Sequence, residues 1–75
     1  MYTREQLEKR IAGERTQFEV CRKNYGQFKR EALMNERQGN IEEADRLQAK
    51  ALQNLSQCRL IEGKISAFEE ILEGE

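Results

Sequence analysis

The sequence predicts an all-α fold: an antiparallel two-helix hairpin of coiled-coil character that dimerises into a four-helix bundle. Three observations predict it. Apolar residues recur at alternating spacings of three and four in both halves of the chain, the period of one helix face. Strong punctuation occurs at a single interior point, Gln38-Gly39-Asn40. Proline is absent from all 75 residues, so neither helix need break for want of a backbone donor. The length sets one domain, residues 1–75.

The first helix is expected over about residues 3–38. Thr3 followed by Gln6 has the spacing of a capping box, and Tyr2 before the cap with Leu7 after it that of a hydrophobic staple. The stripe places Ile11, Phe18, Tyr25 and Ala32 at position a, and Leu7, Glu14, Cys21, Phe28 and Asn35 at position d.

The turn is expected at 38–40 and the second helix over about 41–73. Gly39 suits a left-handed residue just past a helix end. Asn40 suits an N-cap, with Glu42, Glu43 and Asp45 in the next turn, where the helix dipole favours acids. Position a then holds Ala44, Ala51, Cys58, Ile65 and Leu72, and position d holds Leu47, Asn54, Ile61 and Phe68. Gly74 can end the helix.

A hairpin turning at Gly39-Asn40 sets residues opposite one another when their numbers sum to about 79. This pairs Leu7 with Leu72, Ile11 with Phe68, Phe18 with Ile61, Cys21 with Cys58, Phe28 with Ala51 and Ala32 with Leu47. Large faces small in the last two layers, as a packed core requires. Tyr25 faces Asn54, which predicts a hydrogen bond that sets register. On the flanks Arg15 falls near Glu62 and Glu31 near Lys50. Charge agrees: residues 1–38 hold nine Lys/Arg and six Asp/Glu, net +3, and residues 39–75 hold four and eight, net −4. Halves of opposite sign favour lying side by side.

Such a seam is thin. Glu14, Asn35 and Asn54 occupy core positions, and Ala44 and Ala51 bury little. Ordering costs about 1.5 kcal/mol per residue, so a lone two-helix layer is marginal. Apolar residues also remain outside the seam. Ile41, Leu52 and Leu55 form a row on the second helix; Val20 and Met34 stand in an uncharged row on the first with Gln6, Gly13 and Gln27. Leu33, Leu60 and Ile71 are isolated. A row without charge predicts a second contact surface, hence association with a protein partner or a second copy.

Little in the sequence predicts chemistry. It has no His, no Cys-His or Ser-His pair, no glycine-rich phosphate loop and no zinc spacing. No catalytic or metal-binding residue, cofactor or small-molecule substrate is expected. Cys21 and Cys58, set face to face, suit three states: two buried thiols, a disulfide across the hairpin, or a metal bound by two thiolates that lacks further ligands. Arg15, Arg22, Lys23, Lys29, Arg30 and Arg37 form a ridge along one side of the first helix. It reads either as a solvated face balanced by the acids of the second helix or as a track for phosphates or an acidic partner. No apolar run approaches the roughly 18–20 residues of a membrane span, and no secretory leader opens the sequence. The expected location is cytoplasmic.

With two stripes and one turn, the chain resembles in outline two groups of small helical hairpins. One is the Rop-type plasmid copy-number regulators, dimers that bind paired RNA loops; the other is the hairpin co-chaperones of type III secretion. These are likenesses of architecture, which does not fix function; it is the Ile41/Leu52/Leu55 row, with the Val20/Met34 row second, that predicts an adaptor, co-chaperone or inhibitor working through helix faces. The alternative is a Rop-like RNA-binding homodimer using the basic face of the first helix.

Overall fold

The computed structural model describes residues 2–74. Two α-helices, α1 (Arg4–Arg37) and α2 (Ile41–Glu73), run antiparallel and pack along their whole length in a rod of 55 × 15 × 14 Å. Their bounds fall within one residue of those the sequence predicts.

The start of α1 is fixed by the expected capping box. The Thr3 hydroxyl accepts from the Gln6 N–H at 3.2 Å, and the Gln6 side chain accepts from the Thr3 N–H at 2.9 Å. Two amide donors with no partner inside the helix are thereby satisfied. Tyr2 reaches across to α2, where its ring meets Phe68 edge-on at 6.2 Å between centroids.

The turn is closed by backbone. Gly39 adopts φ 82°, a conformation costly for any residue with a Cβ. Its N–H donates to the Glu36 carbonyl at 3.1 Å, and the Asn40 N–H donates to the Asn35 carbonyl at 2.8 Å. This pair of bonds is the Schellman motif. Asn40 does stand at the N-cap of α2, and its carbonyl accepts from Ala44, but its side chain makes no capping bond. At ψ 71°, against 163° for Thr3, Asn40 is held by its part in closing α1. Its amide turns back to Asn35 Oδ1 at 3.4 Å.

The core is a single file of seam residues. Leu7, Ile11 and Ala32 are buried on α1; Ala44, Leu47, Ala51, Cys58 and Ile61 are buried on α2. Every one sits at an a or d position of the predicted stripes. Phe18, Cys21, Tyr25 and Phe28, which occupy the middle of α1, are only half-buried. Polar seam positions are satisfied locally: Asn35 donates to the Glu31 carbonyl at 2.9 Å, and Asn54 to the Lys50 carbonyl at 3.0 Å. Among the described residues no buried side-chain polar atom lacks a partner.

Three expected cross-helix pairs are replaced by others. Tyr25 and Asn54 do not bond to each other: the Tyr25 hydroxyl accepts from Lys29 Nζ at 3.3 Å, while Asn54 caps back onto its own helix. Both lie half-open to water, so each is satisfied by the nearest group in its own turn. Arg15 pairs with Glu69, at 2.9 Å, rather than with Glu62; its long side chain reaches a turn beyond the level position. Glu31 accepts from Gln27 at 3.2 Å. Lys50 lies over the Phe28 ring at 5.6 Å.

Candidate interaction surfaces

The two long edges of the hairpin differ in character. One edge is identified by the Arg15–Glu69 ion pair and by the charges around Cys58, which are those of Arg22, Glu62 and Glu19. Steps of seven residues stay on one face. The α1 side of this edge therefore runs Arg15, Arg22, Lys29, Glu36, and the α2 side runs Glu69, Glu62, Leu55, Gln48, Ile41. Leu52 sits one turn from Leu55. The apolar row and the cationic ridge thus share one edge, which the sequence reading treated as separate surfaces.

Within the apolar row, Ile41 and Leu52 are each 54% exposed. Leu55 is half-buried. On the back of α1, Val20 and Met34 are 48% and 58% exposed. Leu60 and Ile71 are exposed singly on other faces, while Leu33, seven residues beyond Gly26, stands on the α1 side of the edge that carries the apolar row; single exposed apolar residues are ordinary.

The cationic ridge is divided. Arg15 is held by Glu69, and Lys29 by the Tyr25 hydroxyl and ring. Arg22, Lys23 and Arg30 make no ion pair among the described residues. They line one shallow cleft with Glu19, Gly26 and Gln27. Gly26 forms its open floor: a Cβ there would meet only the tip of Arg30, at 3.4 Å.

The cysteines are both free thiols, Cys58 buried and Cys21 half-buried. Burial pushes the Cys58 thiol above its ordinary value, and the adjacent Cys21 adds to the shift. Such a thiol is a small hydrophobe rather than a nucleophile. Among the described residues no group of three or more His, Cys, Asp or Glu is placed to hold a metal ion. No helix is long and apolar enough to cross a membrane.

One cluster escaped the sequence reading. At the open end the Arg10 guanidinium lies over both the Tyr2 and Phe68 rings, 5.8 Å from each centroid, in a cation–π arrangement. The predicted register sets Phe68 level with Ile11, one residue from Arg10. The reach of Tyr2, which precedes the helix, has no periodic signal. Beside this cluster a shallow groove lies over Ile11, Ala12 and Leu72, rimmed by Glu8, Arg15, Glu69 and Glu73.

No family model matches the chain, and no curated protein or solved structure shows significant similarity to it.

Proposed function

We propose that the protein is a small non-enzymatic interaction module. It acts as an adaptor, co-chaperone or inhibitor through helix-face association, and its simplest associated form is a homodimer of hairpins, a four-helix bundle. The observation that carries this reading is the edge holding Ile41, Leu52 and Leu55. Two of its apolar side chains are more than half exposed, and they flank a seam whose aromatic layers Phe18, Tyr25 and Phe28 are only half-covered. A further helix laid on that edge removes both apolar areas from water at about 25 cal/mol per Å². The reading places the protein in the cytoplasm, where thiols such as Cys21 and Cys58 stay reduced.

The test is the double substitution Leu52→Asp with Leu55→Asp. Light scattering should show the wild type above monomer mass and the double variant at monomer mass, with helicity by circular dichroism retained. Association that survives both changes assigns the function to another face, first of all that of Val20 and Met34.

A second reading rests on the cleft of Arg22, Lys23 and Arg30, whose cations make no ion pair among the described residues. An RNA-binding homodimer would use them on phosphates. Its affinity would fall steeply with salt, and failure to be retained on immobilised RNA at low salt rejects it.

A further inference from the structure

The edge that carries Leu52 and Leu55 also specifies how two copies meet, if the self-association proposed above is its use. We infer that two hairpins associate in parallel, turns at the same end, each α1 lying along the α2 of its partner.

A two-fold axis can bring this edge onto its own copy in two ways. With the axis along the rod, both turns lie at one end and α1 meets the partner's α2. With the axis across the rod, the turns lie at opposite ends, α1 meets the partner's α1 and α2 meets the partner's α2. Charge separates the two. The α1 half carries net +3 and the α2 half net −4. The crossed arrangement lays Arg15, Arg22 and Lys29 against the same three residues of the partner. Like charges set face to face across an interface are strongly unfavourable.

Shape separates them again. An axis along the rod keeps both copies level, so residues of α1 and the partner's α2 face each other when their numbers sum to about 79, as they do within one hairpin. Leu52 then falls against the partner's Gly26, where only the flexible tip of Arg30 stands within 4 Å of the missing Cβ. Glu19 falls against the partner's Arg59, and Arg15, already paired with Glu69 of its own chain, lies near the partner's Glu62. Glu19, Arg59 and Glu62 make no ion pair within their own chain among the described residues. In the crossed arrangement, with the rods fully overlapped, Leu52 and Leu55 fall instead against Glu62 and Arg59 of the partner. The parallel packing seats Leu52 in a glycine gap and leaves Leu55 beside the partner's Lys23, whereas the crossed packing sets both leucines on charges.

The test measures the distance between the two turns. A spin label is placed at Asn40→Cys in a Cys21→Ala, Cys58→Ala background and read by dipolar electron resonance. Parallel association puts the labels roughly 15–25 Å apart, since packed helix axes lie about 8–10 Å apart and the label arms add the rest. The crossed arrangement puts them near the 55 Å length of the rod. A second measurement keeps both native cysteines. Gly26→Gln fills the gap opposite Leu52 while removing a helix-interior glycine, so the hairpin should melt no lower and the dimer dissociation constant should rise at least about tenfold. A short label distance together with weakened Gly26→Gln association supports the inference. A distance near 50 Å, or a Gly26→Gln dimer of unchanged affinity, overturns it while leaving self-association standing. A wild-type monomer across the micromolar range overturns the self-association on which it rests.

Discussion

The two ends of the hairpin are held by different forces. At the turn, backbone geometry does most of the work: Gly39 at φ 82° and two carbonyl-directed amides close the chain. Ala32, Ala44, Leu47 and Ala51 fill the space beneath with small or compact buried groups. At the open end there is no covalent link. Side chains of long reach join the helices there: Tyr2 edge-on to Phe68, Arg10 over both rings, and Arg15 on Glu69. Leu7, with no exposed surface, and Ile11 lie beneath them. Local interactions along the chain make the first end, and tertiary contacts make the second.

If that division is right, truncating the open end should cost most. Phe68→Ala removes the ring that meets both Tyr2 and Arg10. Full burial would make the loss about 3–5 kcal/mol; half-burial reduces it to about 2–3 kcal/mol, read from denaturant unfolding of dilute protein. Hydrogen exchange sharpens the point: protection should fall first at both chain ends, with amides near the turn little changed. Uniform loss along both helices would mean that the two ends are not separable. Next in size is the turn itself. Gly39→Ala forces a Cβ into the left-handed region and should cost about 1–2 kcal/mol, although no atom stands in the Cβ's way. A neutral result would show that the turn can relax into another closure.

The same division governs what the sequence made legible. The Thr3–Gln6 capping box, the stripe and the glycine turn are local or periodic, and the structure has all three, while the side-chain cap expected of Asn40 does not form; every buried residue sits where the stripe put it. The pairs that differ involve flexible polar side chains. Arg15 passes Glu62 for Glu69, Lys50 prefers the Phe28 ring to Glu31, and Tyr25 bonds to Lys29 in place of Asn54. Long side chains on an open surface choose among several partners separated by well under 1 kcal/mol, and residue spacing does not rank those. Of the candidate surfaces, Ile41, Leu52, Val20 and Met34 are exposed as their spacing implied, and Leu55 is half-buried. The sharing of one edge by the apolar row and the cations required the two helices to be placed together.

The thiols extend the comparison into the middle of the rod. Cys58 is buried and its ionisation is pushed up, first by burial and then by Cys21, whereas Cys21 is half-open. Alkylation by iodoacetamide near pH 8 should therefore modify Cys21 well before Cys58, read by mass spectrometry of peptides. The sign for stability follows. A thiol that is neutral in the fold favours folding fully below the pKa of the unfolded thiol. That contribution is lost as pH rises from there through the raised folded value. Equal alkylation rates would mean that the middle layers open together and that burial of Cys58 is transient.

The smallest effect is the most discriminating, because it compares two caps of the same nominal kind. Thr3 satisfies a helix amide with its side chain, and Asn40, at the equivalent position of α2, does not. Thr3→Ala should cost about 1 kcal/mol, the ordinary value of an N-cap. Asn40→Ala removes only a bond of 3.4 Å to Asn35, at an exposed site, and should cost a few tenths of a kcal/mol. The two losses are measured side by side by urea unfolding. Equal losses would mean that Asn40 caps α2 in solution after all. The turn would then hold its second helix by the same side-chain device as the first, rather than by backbone alone.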